Sequence, residues 1–217
     1  MCTNYEPSHP ERFRLDLDWQ QPTFTYKPET YPSYFAPMRI LAPDSGEPEL
    51  REAKFGLVPF WSKEPKLKYS TMNARAETVA RLSSYREPWK KRRYALVPMA
   101  GFYEPDYETG RPVRWRIERK DKRAFTVAAI WDYWKSSDGE GFHSFALLTL
   151  NADGHPVMGR FHAPHDEKRS LVIVSPERCD DWLHTTAEEA GNFMTEMPAD
   201  EFTSLPAPKP SKQGPDM

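Results

Sequence analysis

Twenty-two prolines against ten glycines constrain this 217-residue chain more than any other feature. Proline stands at about twice its usual ~5% share. Each one fixes φ and removes a backbone donor. The chain is therefore cut into short elements joined by stiff, extended connections. Residues 1–50 read as mostly extended, with a strand over Tyr34–Leu41 interrupted at Pro37. Phe55–Val58 reads as a short strand. Asn73–Leu82 carries Ala74, Ala76, Glu77 and Ala80 and predicts a helix. Tyr85–Arg93 predicts a second short helix, with Pro88 in its first turn. Strands follow at Ala95–Pro98, Gly101–Tyr103, Val113–Arg119, Phe125–Trp131, Phe142–Leu150 and Leu171–Val174. Ser175 opens a helix over Pro176–Leu183, with proline at its first position. Many short strands without strand–helix alternation favour an α+β fold. One domain spans 1–205, and residues 206–217 form a polar, proline-rich tail expected to be disordered.

Several function classes fall away. Ala124–Trp131 is the longest apolar stretch, well short of the ~20 residues a membrane-spanning helix needs. The N-terminus has no apolar core of a secretory signal. Two cysteines, Cys2 and Cys179, make no disulfide framework, which points to the cytoplasm. There is no GxSxG, P-loop or Rossmann glycine pattern, so no nucleotide cofactor is expected. No cysteine pair or HExxH helix suggests zinc.

Charge is unevenly spread. Residues 61–123 hold 17 Lys+Arg and 8 Asp+Glu, although the whole chain carries a net charge of −2. Aromatic residues, among them Tyr85, Trp89, Tyr94, Tyr103 and Trp115, interleave with those charges. Basic charge with stacking rings suits single-stranded nucleic acid. Solvated faces and core positions are the plain alternative.

Cys2 is the sharpest chemical candidate. Initiator methionine is generally trimmed before a small residue, which would leave a free amine and a thiol on Cys2. Their ordinary pKa values are about 8 and 8.5. Such a 1,2-aminothiol condenses with an aldehyde to an imine, and the neighbouring thiol closes a thiazolidine ring at little entropic cost. An unremarkable terminal residue is the alternative. Glu104, in GFYEP, can be desolvated into a proton shuttle or held in a salt bridge. His162 and His165 are acid–base or structural histidines. Asn73 is a helix N-cap or a group that orients the nucleophile. Arg75 can hold a phosphate.

Taken in order, MC, YFAP (Tyr34–Pro37), FGLVPFW (Phe55–Trp61), NARAET (Asn73–Thr78), YREPWKKRRYALVPMAGFYEP (Tyr85–Pro105), LLTLNADG (Leu147–Gly154) and RFHAPHDEKRSLVIVSP (Arg160–Pro176) form a recognisable series. It covers residues 2–190, and the chain resembles the SRAP family, whose members process abasic sites in single-stranded DNA. The resemblance implies a single domain with a curved, barrel-like mixed sheet and a few flanking helices. It implies that Cys2, freed of Met1, attacks the ring-opened sugar and closes to a thiazolidine. Glu104 matches the family's proton-moving carboxylate, and Asn73 the residue that orients Cys2. Arg75 and Arg169 match basic residues near the DNA backbone. Trp61 matches an aromatic residue on the strand path. His162 matches the catalytic histidine by distance from the Leu147–Asp153 strand, whereas His165 fits the local H-D; His162 is taken. No metal or organic cofactor is implied, and the partner is single-stranded DNA carrying an abasic site, bound by a monomer.

Three departures stand out. Tyr34, taken as a DNA-binding residue, replaces the family's common Asn near the expected pocket, leaving one contact to Cys2 or the sugar open. Thr3 and Asn4 replace Gly and Arg, removing a phosphate contact. HAPHDEKRS expands a shorter H-D/N-R-M-P segment. A cysteine peptidase and a non-catalytic single-strand binding module are the other readings.

Overall fold

The computed structural model describes residues 2–209. In chain order its strands begin with β1 (Tyr5–Pro7), β2 (Phe35–Leu41), β3 (Pro48–Phe55), β4 (Asn73–Arg75) and β5 (Tyr94–Asp106). They continue with β6 (Val113–Arg119), β7 (Phe125–Lys135), β8 (Gly141–Asn151), β9 (Arg169–Leu171), β10 (Ile173–Val174) and β11 (Phe202–Pro206). The α-helices are short: α1 (Pro10–Leu17), α2 (Arg86–Lys90) and α3 (Cys179–His184).

The apolar runs in β5, β7 and β8 have both faces to bury, and a closed sheet gives them two cores. Strands β2, β3, β8, β7 and β5 pair in that order, and β5 pairs back to β2. The sheet is mixed: β3 and β4 run parallel to β8, and the other pairings are antiparallel. Ile40, Phe55, Val97, Val127 and Phe145 fill the barrel. Leu96, Ala128, Ile130 and Ala146 face outward into a second core with Phe13 of α1 and Trp182 of α3. There the Trp182 indole donates to the Ala95 carbonyl at 2.8 Å and stacks on Tyr94. This is the α+β, barrel-like architecture expected from the sequence.

Several local expectations are corrected. Asn73–Leu82 is not a helix. Asn73–Arg75 pairs with Leu147–Thr149, and turns follow, with Val79 N–H on the Arg75 carbonyl at 2.8 Å. The free edge of β8 overrides local helix propensity. Phe55 ends β3, and Leu57 and Val58 lie beyond it. Pro37 does not interrupt β2. The β2–β5 ladder takes only Arg39 and Ile40, so Pro37 lies outside it. Ala95–Pro98 and Gly101–Tyr103 belong to one continuous β5. The extended N-terminal region contains α1, signalled by Pro10 and Glu11 in its first turn. Strand β11 runs to Pro206, the first residue of the expected tail, and Ala207 N–H donates to the Arg114 carbonyl. Residues 210–217 of that tail lie outside the described residues.

Strand β5 connects two ends of the barrel. At Tyr94 it lies beside β7 residue Ile130 and the 42–47 turn between β2 and β3. At Phe102 it pairs with Tyr5 of β1, and Cys2, Tyr5, Met158 and Phe161 plug the interior.

Candidate active site

The N-terminal segment reaches this second mouth because Tyr5 anchors it. Tyr5 is fully buried, meets Phe55 edge-on at 5.3 Å, and exchanges two backbone hydrogen bonds with Thr30. Tyr103 N–H donates to the Asn4 carbonyl. Cys2 is thereby drawn inside at 1% exposure, its thiol 3.4 Å from the same Asn4 carbonyl. Burial pushes the Cys2 thiol far above its ordinary pKa, and the Glu104 carboxylate adds to the rise.

Asn73 meets Cys2 from the other side. Pairing with β8 points its amide inward, where Nδ2 donates to the Cys2 carbonyl at 2.8 Å. Its Oδ1 is buried and has no hydrogen-bond partner among the described residues. Glu104, 3% exposed, sits on β5 opposite Trp115. Its Oε2 lies 3.3 Å from Nε2 of His162, which is 7% exposed. Neither ring nitrogen of His162 makes an aligned hydrogen bond among the described residues. His162 has φ of 70°, a strained conformation for a residue with a Cβ. Its N–H on Pro105 O and its carbonyl on Lys168 Nζ hold it there. His165 is exposed. The four sequence candidates Cys2, Asn73, Glu104 and His162 thus converge on one mouth.

The outer candidates are placed differently. Trp61 and its neighbour Phe60 are both exposed. Arg75 is exposed and pairs with Glu167 at 2.7 Å. Tyr34 lies half-exposed against Tyr31, with Lys27 Nζ 3.9 Å from its ring centre. Arg169 is only 2% exposed. Its guanidinium is committed to Glu77, Glu167 and the Thr149 carbonyl, an internal clamp on the segment after β4.

Sequence reasoning missed a second tier. Glu29 accepts from Asn4 Nδ2, Tyr31 and Arg114, and so ties the residue after Thr3 to β6. No local motif marks Glu29; Asn4, the departure at a position where arginine is common, is its partner. Beside His162, Arg160 lies 4.2 Å over Trp115 and pairs with Asp106 and Glu108. Among the described residues no three His, Cys, Asp or Glu side chains gather to hold a metal. No helix there is long and apolar enough to cross a membrane.

The family model described as SOS response associated peptidase (SRAP) matches residues 1–210. The chain belongs to the SRAP family. Among SRAP relatives, the abasic site processing protein YoqW of Bacillus subtilis is 29% identical over 181 residues, 80% of this chain and 74% of YoqW. The abasic site processing protein HMCES of Gallus gallus is 30% identical over 162 residues, 64% of this chain and 46% of HMCES. A crystal structure from Bordetella bronchiseptica superposes with a TM-score of 0.87 at 30% identity, covering 95% of this chain and 99% of that one. One from Bacteroides thetaiotaomicron, 20% identical, shares the fold at a TM-score of 0.76 over 96% and 93%. This chain's mouth offers a buried thiol, a carboxylate–imidazole pair and an amide whose acceptor has no partner among the described residues. Together these can activate a nucleophile, shuttle protons and accept a hydrogen bond from a substrate hydroxyl.

Proposed function

We propose that this chain is an abasic-site processing protein that captures the lesion in single-stranded DNA as a covalent thiazolidine on Cys2. The observation that carries the reading is the convergence of Cys2, Asn73, Glu104 and His162 at one barrel mouth. Removal of Met1 would free the Cys2 amine. The amine then adds to the aldehyde of the ring-opened sugar and expels water, giving an imine. The thiol adds across that C=N bond: sulfur bonds to carbon, and the thiol proton ends on nitrogen. Glu104 and His162 carry the protons of both steps. Asn73 orients the backbone of Cys2, and Trp61 and Arg75 contact the strand on either side.

A Cys–His peptidase fits less well. The Cys2 thiol donates to the Asn4 carbonyl, and among the described residues neither ring nitrogen of His162 hydrogen-bonds that thiol, as a nucleophile–base pair requires.

The test begins with intact mass to establish that Met1 is absent. The protein is then mixed with a single-stranded oligonucleotide carrying one abasic site, beside the undamaged strand and a Cys2→Ala variant. A heat-stable, Cys2-dependent shift confined to the lesion is the expected result. No shift from protein lacking Met1 sinks the reading.

A further inference from the structure

The basic run Lys90–Arg93 plays no part in the Cys2 mouth. The fold carries it to the opposite end of β5, beside Tyr94. There a cleft of about 630 Å³ opens at the distal barrel mouth. Arg51, Lys91 and Arg93 edge it, and Trp131, Tyr133 and His143 supply rings.

Three features give this cleft the character of a built site. Its rings are held in fixed relation: His143 lies 4.9 Å from Tyr133 and 5.3 Å from Trp131. Tyr133 also lies over Gly141, where an added Cβ would fall 2.6 Å from the Tyr133 hydroxyl and 2.6 Å from the Trp134 carbonyl. The ring therefore occupies space that only glycine leaves open, while 39% of Tyr133 stays exposed. The cleft gathers three cations, Arg51, Lys91 and Arg93, which pair with Glu49, Glu87 and Asp132 respectively, and Asp44 also lines it. Burial, and then the charges of Arg51 and Arg93 against an opposing pull from Glu49, lower the His143 pKa. Arg93 is itself anchored on the buried Asp132 and lies over Trp131. Asp132 also accepts the Phe60 N–H at 2.9 Å, and Lys91 Nζ lies 5.2 Å from the centre of the exposed Phe60 ring. Phe60 adjoins Trp61, so an exposed aromatic and basic surface runs from the Trp61 loop into the cleft.

We infer that the distal mouth is a second nucleic-acid subsite, taking a nucleotide of the strand that flanks the lesion. A phosphate would meet Lys91, Arg51 and Arg93, and a base would stack on Tyr133. Positive charge beside a rigid ring is the combination that binds single strands without reading sequence. The reach is short. His143 is four residues along β8 from Leu147, the partner of Asn73, about 13 Å at the ordinary strand rise. A few nucleotides on one side of a captured sugar would span it. The inference rests on the proposed action on single-stranded DNA, but not on the covalent step.

Fluorescence anisotropy tests it with undamaged single strands of about 4 and about 12 nucleotides, within the site sizes of single-strand binders. Wild-type protein should gain affinity with length. Tyr133→Ala should lose about fivefold or more of that gain, the effect of one lost stacking contact. Lys91→Gln should reduce the salt dependence on the longer strand by about 0.7 in log–log slope, one phosphate's worth. Thermal melting confirms that each variant is folded. Both exposed side chains can be changed without opening the core. A length gain that survives in both folded variants overturns the inference, as does the absence of any gain in wild-type protein. Loss of lesion capture with retention of the length effect would remove the thiazolidine reading and leave this one standing.

Discussion

Arg169→Met separates two roles for one residue. Its family position suggests a phosphate contact, whereas its surroundings make it an internal clamp. The guanidinium is 2% exposed and donates to Glu77 at 2.9 Å, Glu167 at 2.7 Å and the Thr149 carbonyl at 2.7 Å. Methionine keeps much of the volume but abandons three acceptors. Breaking a fully buried ion pair costs about 3–5 kcal/mol. Here the Glu77 and Glu167 side chains are 45% and 32% exposed, so water can resolvate both and roughly halve that figure. The stranded Thr149 carbonyl adds about 1 kcal/mol. The expected loss is about 2.5–3.5 kcal/mol, a fall in Tm of about 5–14 °C for a domain of this size. The effect must also depend on pH. Burial raises the Glu77 and Glu167 carboxyls, but the Arg169 hydrogen bonds outweigh it and hold both below their ordinary range. Their contribution is present above about pH 4.3, the unfolded value, and is lost as pH falls through the lower folded values. The gap between wild type and variant should therefore narrow in acid. Calorimetry at neutral pH and near pH 3.5 measures both quantities. A Tm within about 2 °C of wild type, or a gap that does not close in acid, refutes the clamp. A direct phosphate role would instead lower the salt slope of single-strand binding by about 0.7; the clamp predicts no change in slope.

Further outcomes are expected at the two mouths. Asn73→Ala removes the donor to the Cys2 carbonyl and should slow lesion capture at a stability cost of about 1 kcal/mol. Asn73→Asp should not restore the rate, because a carboxylate cannot donate; single-turnover crosslinking measures both. Glu104→Gln should shift the pH profile of Cys2 alkylation toward lower pH, since Glu104 is the second cause, after burial, of the raised thiol pKa. A raised thiol pKa stabilises the fold below about pH 8.5, and that contribution is lost as pH rises further. Urea midpoints should therefore fall between neutral pH and about pH 9.5 in wild type, and fall less in Cys2→Ala. Gly141→Ala should cost about 1–3 kcal/mol, because its Cβ meets the backbone carbonyl of Trp134, which cannot turn away; thermal melting reads the loss.

The barrel was legible where one kind of signal dominated. The apolar runs at Phe125 and Phe142 are strands, because pairing and burial agree there with local pattern. Val113–Arg119 is a strand by pairing, but its burial does not alternate: Arg114 and Arg116 are half-buried like Val113 and Trp115, and Glu118 is buried beside Ile117. Asn73–Leu82 shows the opposite case. Its alanines favour a helix, yet three residues complete the edge of β8, and no local property records that edge. The misplacement bears on chemistry, for a helix N-cap would spend the Asn73 side chain on its own backbone, whereas β4 sends it to Cys2. Pro10 and Glu11 carry an ordinary helix-start signal for α1, overshadowed by the prolines around them. Arg169 shows the limit for site residues. Sequence position cannot tell a guanidinium facing DNA from one closed in by Glu77 and Glu167, since both partners come from the fold. Glu29 was invisible for the same reason.

The burial of Cys2 bears on the order of events in lesion capture. A thiol raised this far above its ordinary pKa is protonated at neutral pH and is a weak nucleophile. Attack by sulfur first would require a thiolate beside the Glu104 carboxylate, where charge repulsion adds to desolvation. On the proposed reading, the amine therefore attacks first, and the thiol follows as a neutral S–H. Imine formation changes the balance at that moment. A protonated imine places positive charge next to the thiol and attracts sulfur electrons to carbon, while a neighbouring base takes the S–H proton. Glu104, whose charge acts on the Cys2 thiol and which pairs with His162, can supply that base within the same pocket. The order is testable by trapping. Borohydride reduces an imine but not a closed thiazolidine, so it should capture lesion DNA on Cys2→Ala protein lacking Met1, which retains the amine but has no sulfur to close the ring. Failure to trap any adduct on that variant, under conditions where wild type crosslinks, would place sulfur attack first and remove the role assigned here to the raised thiol.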